Sequence, residues 1–185
     1  MRGECGRALS LAAVLLSAWA VTLSGQASRV PSAAAQAALA GWRADFDGDG
    51  TVDFCQVESR PGYSGLSCTL TSSRQPIRSG NIDLGYPEGR AFVDFDGDRK
   101  QDYCRVVGTA AKSFVWCTLS EGTAFGATVR SPALDWGYPE TRQWRDVNGD
   151  GRADFCRTVG NTRELFSCTL SEGRRGFGRT VNSRR

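Results

Sequence analysis

The sequence predicts an all-β protein built from three similar repeats, and three observations support this fold class. A segment rich in aspartate and glycine begins at residues 45, 94 and 146, a period of about 50 residues that is typical of a repeat architecture. Each segment runs into a stretch where apolar and polar residues alternate, as they do in half-buried β-strands. Each of these stretches also carries two cysteines at nearly the same spacing.

The N-terminal segment precedes the repeats and indicates the compartment. Arg2 and Arg7 are followed by an uncharged apolar run over 8–23 and then by small residues. This order predicts a secretory signal peptide over 1–27, cleaved near Ala27. A retained membrane anchor is the alternative, but the apolar run is short for a span of about 20 residues. We therefore expect a secreted, extracellular protein.

The rest of the chain is long enough for one domain with a core of its own. Residues 28–40 are predicted to form an N-terminal linker, and residues 41–185 a three-repeat β domain. The repeats are expected at about 41–82, 83–134 and 135–185.

Strand alternation and cysteine spacing together predict a β-hairpin in each repeat. If Cys55 faces Cys68, then Val57 faces Leu66 and the turn falls at 60–63. This register gathers the apolar side chains on one face, as a sheet with one buried face requires.

The other two repeats give the same register. Cys104 opposite Cys117 pairs two valines and places the turn at 109–112, and a shorter turn at 161–163 absorbs the missing residue of the third hairpin. Facing residues of an antiparallel pair lie within reach of a disulfide, and an exported chain keeps its cysteines oxidised. Reduced core cysteines are the alternative. The predicted disulfides, one per repeat, are Cys55–Cys68, Cys104–Cys117 and Cys156–Cys168.

The aspartates of each repeated segment have a spacing that suits calcium. In the first segment they occupy positions one, three, five and nine, with glycine at positions four and six. Calcium takes about six to eight oxygen ligands from carboxylates and backbone carbonyls, which a loop wrapped around one point can supply. The backbone carbonyl of position seven is expected to join them. The predicted ligands of up to three calcium ions are Asp45, Asp47, Asp49, Thr51 and Asp53; Asp94, Asp96, Asp98, Lys100 and Asp102; and Asp146, Asn148, Asp150, Arg152 and Asp154.

The second of these loops departs from the pattern at position six, where Arg99 replaces glycine. That position usually needs a positive φ, which costs a residue with a Cβ about 1 kcal/mol. We therefore expect the second site to bind calcium most weakly. All three sites are expected to have a Kd of about 10⁻⁴–10⁻³ M, as in other extracellular modules.

The pattern D-x-D-G-D-G-x-x-D followed by a β-strand, at a period of about 50 residues, resembles the FG-GAP or integrin-α-like repeat. That family is also grouped with the VCBS repeats of secreted bacterial proteins. Phe-Gly pairs at 125–126 and 177–178 fall at equivalent places, and the resemblance covers 41–183. The loops differ from EF-hand and dockerin loops, which need an acid at position twelve, where this chain has glutamine or arginine.

The resemblance implies a β-propeller architecture, in which each repeat is a blade-like unit of antiparallel hairpins with calcium in a loop. Propellers of this kind typically close with about four to eight blades, whereas this chain has three repeats. Three arrangements stay open. The repeats form an open stack, or copies of the chain associate to complete a ring, or the repeats form a smaller compact β domain.

The charge distribution bears on the partners of the protein. The formal net charge is +3, and eleven of the 20 acidic residues lie in the three loops. With calcium bound, the rest of the surface is therefore basic and attracts a glycan or another anionic polymer. Solvated charge without a ligand is the alternative, and no nucleic-acid motif is present. The arginines concentrated near the C-terminus are Arg174, Arg175, Arg179, Arg184 and Arg185.

Catalysis has little support in the sequence. The chain has no histidine, which is the usual base near neutral pH. Glu88 and Glu140 recur at equivalent repeat positions, which indicates structure, since a catalytic carboxylate pair needs two different environments. Tyr86 and Tyr138 recur in the same phrase and are expected to pack between repeats or at turns, with sugar-stacking platforms as the alternative.

The sequence therefore predicts a non-enzymatic, secreted calcium-binding protein that acts as an extracellular binding or adhesion module, lectin-like if its ligand is a glycan. The alternative is a structural envelope or matrix protein without a specific ligand, and a carbohydrate-active enzyme is less favoured still. The expected partners are a glycan or anionic polymer and further copies of the chain. We expect no specific nucleic acid and no membrane span after signal cleavage.

Overall fold

The computed structural model describes residues 41–184. The signal peptide and linker predicted over 1–40 lie outside the described residues and stay predictions. The described part consists of β-strands joined by loops and two single-turn 3₁₀ segments. The prediction of an all-β fold is therefore confirmed.

Within residues 41–184 the strands form three four-stranded antiparallel sheets, and the strands of each sheet follow one another in chain order. Sheet 1 comprises β1 (Trp42–Ala44), β2 (Asp53–Arg60), β3 (Tyr63–Thr69) and β4 (Pro76–Arg78). Sheet 2 comprises β5 (Ala91–Val93), β6 (Asp102–Thr109), β7 (Lys112–Ser120) and β8 (Phe125–Arg130). Sheet 3 comprises β9 (Gln143–Arg145), β10 (Asp154–Val159), β11 (Leu165–Ser171) and β12 (Phe177–Arg184). The 3₁₀ turns are Pro139–Thr141 and Gly173–Arg175.

The hairpin register and the disulfides are those that the sequence predicts. In sheet 1, Cys55 pairs with Cys68 and Val57 with Leu66. The other two hairpins pair their cysteines in the same way, and the Cα atoms of each cysteine pair are 4.0 Å apart. The confirmed disulfides are Cys55–Cys68, Cys104–Cys117 and Cys156–Cys168.

The hydrophobic core lies between neighbouring sheets. Phe46, which is fully buried, packs against Phe125 of the next repeat with ring centroids 4.7 Å apart. Phe95 packs against Phe177 of the following repeat at 4.8 Å. The phenylalanine of each Phe-Gly pair thus covers the acidic-loop phenylalanine of the preceding repeat. This packing explains why the Phe-Gly pairs recur in the second and third repeats.

A buried arginine ties the Gly-Tyr-Pro phrase to the hairpin of its own repeat. The Nε of Arg105 donates to the backbone carbonyl of Asp83 at 2.5 Å, and the Nε of Arg157 donates to that of Asp135 at 2.7 Å. Burial lowers the pKa of Arg105 to about 10, so the guanidinium stays charged at neutral pH. The first repeat has Gln56 at the corresponding position of the printed sequence.

Candidate metal sites

Each acidic loop connects the first two strands of its sheet, and the three loops have the same backbone course. We call residues 45–53, 94–102 and 146–154 the first, second and third loops. The sixth residue has a positive φ in every loop, 83° at Gly50, 70° at Arg99 and 83° at Gly151. The left-handed backbone expected at Arg99 is therefore confirmed, and this arginine occupies a conformation that favours glycine.

The first aspartate of each loop holds the turn together. The two carboxylate oxygens of Asp45 accept hydrogen bonds from the N–H groups of Gly48 and Gly50 at 2.8 and 3.0 Å. Asp94 accepts equivalent hydrogen bonds at 2.7 and 3.0 Å, and Asp146 does so at 2.7 and 2.8 Å. The backbone of each loop therefore curls around its first carboxylate.

The aspartate at position nine of each loop joins that loop to the end of the third strand of its own sheet. In the first loop, Asp53 is buried, and its two oxygens accept hydrogen bonds from the N–H groups of Phe46 at 3.0 Å and Thr71 at 2.8 Å. Asp102 and Asp154 are buried in the same way and make the corresponding pairs of hydrogen bonds. The sequence predicts these residues only as metal ligands. Each carboxylate oxygen has a second lone pair, so a structural role and a ligand role are compatible.

Two of the loops bring three carboxylates together. One carboxylate oxygen from each of Asp45, Asp47 and Asp49 lies within 4.8 Å of the other two, and the same holds for Asp94, Asp96 and Asp102. In the part of the chain that the structure describes, the third loop has no such group of three carboxylates. It has Asn148 at position three, and the side-chain carbonyl of asparagine is also a calcium ligand. Two of the three loops therefore have a donor set that suits a hard divalent cation.

In all three loops, the side chain of the residue at position seven contacts the aspartate at position five. The hydroxyl of Thr51 donates to Asp49. In the second loop the Nζ of Lys100 lies 2.5 Å from Asp98, and in the third the Nη2 of Arg152 lies 2.6 Å from an oxygen of the fifth aspartate. The residues at position seven, which the sequence predicts to bind calcium through their backbone carbonyls, therefore differ in the charge of their side chains. The first loop has a neutral side chain at this place, whereas the other two have a cation.

The carboxylates of the first two loops have perturbed pKa values. Burial raises the pKa of Asp47, and the neighbouring charges of Asp53 and Asp49 act in the same direction. Burial raises the pKa of Asp102 to about 7, although two backbone N–H groups favour its ionised form. The hydrogen bonds from Thr51 lower the pKa of Asp49. A bound cation would relieve the repulsion among these groups and restore ionisation.

The first and second loops lie at the joints between successive repeats. The N–H of Gln101 donates to the backbone carbonyl of Asp45 at 2.9 Å, so the second loop is fastened to the first. The N–H of Ala153 donates to that of Asp94 at 2.8 Å, which fastens the third loop to the second in the same way.

A serine makes a second link at each joint. The hydroxyl of Ser120, at the end of β7, donates to the carbonyl of Phe46, and that of Ser171, at the end of β11, donates to the carbonyl of Phe95 at 2.6 Å. These serines begin the Ser-Glu-Gly phrase of the second and third repeats. The phrase therefore fixes each repeat against the loop of the preceding one.

The aromatic residues of the Gly-Tyr-Pro phrase take part in packing. Tyr86 and Trp136 meet edge to face with ring centroids 4.8 Å apart, and the Arg142 guanidinium lies 4.2 Å above the Trp136 ring. The hydroxyl of Tyr86 donates to the carbonyl of Gly108 at 2.8 Å. Tyr138 makes the equivalent contact in the third repeat. Their recurrence is thus explained by docking onto the hairpins.

The fold and the loops define a class of protein: three four-stranded β repeats, each with a disulfide within its own hairpin and an acidic loop. Two of these loops carry a cluster of three carboxylates suited to a divalent cation. A scan against protein-family models gives no match, and a search of curated proteins gives none either. The likeness to FG-GAP and VCBS repeats therefore rests on the residues of the chain.

Proposed function

We propose that this chain is an extracellular calcium-binding repeat protein of the FG-GAP/VCBS type, which acts as a non-enzymatic binding or adhesion module. Calcium would stiffen the joint between consecutive repeats, so that the protein presents a fixed surface to its partner. Three disulfides are typical of extracellular proteins. Among residues 41–184, no helix has the length and apolar character needed to cross a membrane.

The first loop is the observation that carries this proposal. Its carboxylates of Asp45, Asp47 and Asp49 lie within 4.8 Å of one another, and no ion pair with a described residue neutralises them. These three side chains would hold the ion, with Asp53 and the carbonyl of Thr51 completing the shell. Calcium would supply charge neutralisation there, at a loop already hydrogen-bonded to the next repeat.

A propeller-like arrangement of the repeats is the second part of the proposal. In such an arrangement, the short first strand of each sheet would lie nearest the centre. Consistent with this, β1 contacts β5, the first strand of the next sheet. Phe54 is 43% exposed, whereas Tyr103 and Phe155 are buried at the equivalent place. Val147 is likewise 37% exposed where Phe46 and its counterpart in the second repeat are buried.

These two exposed positions belong to opposite sides of the repeat unit, and further copies of the chain would cover both by forming a ring. A groove of about 480 Å³ beside Val147, lined also by Phe166 and Val181, would receive the neighbouring copy. Light scattering separates the arrangements, because a ring requires several copies per particle and an open stack or compact domain requires one.

The expected partner is a glycan or another anionic polymer, attracted by arginines outside the loops. Trp136 and Tyr138 line a groove of about 580 Å³. The Arg142 guanidinium already covers one face of Trp136, so sugar stacking on that face needs the guanidinium to move. That contact favours the second candidate function, a structural envelope or matrix protein without a specific ligand. A glycan array probed with and without chelator distinguishes the two.

Calorimetric titration with calcium tests the metal part of the proposal. We expect uptake with a Kd of about 10⁻⁴–10⁻³ M and a higher Tm in calcium than in chelator. Asp47→Asn should abolish most of this Tm difference, whereas Glu164→Gln, which removes an exposed carboxylate outside the loops, should leave it unchanged. Absence of uptake at millimolar calcium would end the proposal.

A further inference from the structure

Arg174, in the 3₁₀ turn of the third repeat, reaches the second loop. Its Nε lies 2.8 Å from an oxygen of Asp96, and its Nη2 lies 3.7 Å from Asp98. The same guanidinium makes a two-pronged contact with Glu121, with N–O distances of 3.0 and 3.3 Å. One arginine of the third repeat therefore joins three carboxylates of the second.

The carboxylate of the second loop that Arg174 contacts most closely is that of Asp96. Its side chain is only 3% exposed, and its Oδ2 has no hydrogen-bond partner among the described residues. The guanidinium of Arg174 forms an ion pair with this oxygen at 2.8 Å. Burial raises the pKa of Asp96, and the charge of Asp98 raises it further, while Arg174 lowers it. Arg174 therefore supplies the positive charge that lies against this buried oxygen.

The first loop has no such arginine. The phrase Ser120-Glu121-Gly122-Thr123 faces the first loop, and Ser171-Glu172-Gly173-Arg174 faces the second. The serine hydroxyl of each phrase donates to the backbone carbonyl of the residue at position two of the loop that it faces, Phe46 or Phe95. Thr123 and Arg174 therefore occupy corresponding places, and of the first and second loops only the second receives a guanidinium from the next repeat among the described residues.

We propose that Arg174 is the built-in counter-cation of the second loop, so that this loop folds without metal and admits a divalent cation only when the guanidinium moves away. Arg174 then determines which of the two carboxylate groups takes metal. This inference rests on the proposed calcium binding for its second half. Its first half, neutralisation by Arg174, holds independently of any metal.

Glu121 gives the displaced guanidinium a second partner. Because Arg174 already contacts Glu121 with two nitrogens, it can release Asp96 and remain paired. Lys100 makes its ion pair with Asp98, two residues away in the same loop, and no ion pair within 4 Å joins it to Asp96. Arg174 is therefore the residue to change.

The test compares calcium binding by Arg174→Thr, which copies the first-loop arrangement, with that of Arg175→Thr, its neighbour without an ion pair to any described residue. Both changes are made in an Asp47→Asn background that disables the first loop. We expect Arg174→Thr to bind calcium at the second loop about two- to fivefold more tightly than the background, the gain from removing one competing ion pair. Arg175→Thr should change nothing, and Arg174→Lys should lie between.

Thermal unfolding supplies the second measurement. In chelator, Arg174→Thr should lower the Tm relative to Arg175→Thr, and calcium should restore it, since the metal replaces the lost charge. Unchanged calcium affinity in Arg174→Thr, or a Tm loss that calcium does not restore, would overturn the inference. If the protein with an intact first loop takes up no calcium, the proposed function fails instead. In that case a Tm in chelator that is equal for both variants would overturn the counter-cation as well.

Discussion

The first and second loops share one backbone and differ in the charges around it. Asp45 and Asp94 hold their turns with the same two backbone hydrogen bonds, and Asp53 and Asp102 fasten their loops to the third strand in the same way. In this shared scaffold, backbone N–H groups donate to the oxygens of both carboxylates of each loop.

The difference lies in side chains that come from outside this scaffold. In the second loop, Lys100 contacts the aspartate at position five and Arg174 contacts the aspartate at position three. In the first loop, the neutral Thr51 stands where the second loop has Lys100. The two loops therefore share their backbone geometry and differ in the positive charges supplied by position seven and by the next repeat. Under the proposed function, this difference would make the two loops differ in metal binding.

The largest expected effect tests the shared scaffold. Asp53→Ala and Asp102→Ala each leave two backbone N–H groups without acceptors, so each should lower the free energy of unfolding by about 3 kcal/mol. Urea denaturation in chelator measures both. The losses should be similar in the two loops, and a loss in only one loop would show that the scaffold is not shared.

The second prediction separates the loops by their response to calcium. Asp47→Asn should remove the calcium-dependent part of the stability, about 2 to 3 kcal/mol at a calcium concentration 100-fold above the Kd. Asp96→Asn should leave most of it, since Arg174 already neutralises that carboxylate. The measurement is urea unfolding of each variant with and without calcium, and equal calcium responses of the two variants would contradict the comparison.

The third prediction concerns pH and the buried carboxyl of the second loop. Burial raises the pKa of Asp102 to about 7 in the folded protein, from 3.8 when exposed. Between these values the folded state binds more protons than the unfolded state, so the free energy of unfolding falls as the pH rises from about 4 to 7. In chelator we expect a decrease on the order of 2 kcal/mol from this group. Asp102→Asn should flatten the profile, and an unchanged slope in that variant would assign the effect to other groups.

The smallest expected effect concerns the sixth residue of each loop. Arg99→Gly should raise the free energy of unfolding by about 1 kcal/mol, because glycine adopts a positive φ without strain. Gly50→Arg should lower it by a similar amount, and thermal unfolding in chelator measures the matched pair. If both changes are neutral, the backbone at this place is more adaptable than its φ angle indicates.

Local alternation explains why much of the fold could be predicted. Period-two patterning around Cys55 and Cys68 determines the hairpin register, since a slip of one residue would expose the apolar face. The disulfides follow from that register. The left-handed backbone at Arg99 follows from its alignment with Gly50 and Gly151.

Contacts that join distant parts of the chain could not be predicted in this way. From the sequence, Arg174 is one of the arginines of a basic C-terminal surface, whereas in the structure it pairs with Asp96 and Glu121 of another repeat. The ninth aspartate was assigned only as a ligand, since its hydrogen bond to Thr71 spans the whole hairpin. The serine of the recurring Ser-Glu-Gly phrase was the available sign of the joints.

A crystal structure of the protein grown in millimolar calcium tests the central claim most directly. The account predicts an ion in the first loop, bound by Asp45, Asp47 and Asp49, with the Arg174 guanidinium still against Asp96 in the second. Calcium in the second loop alone, or equal occupancy of both loops with Arg174 unmoved, would contradict it.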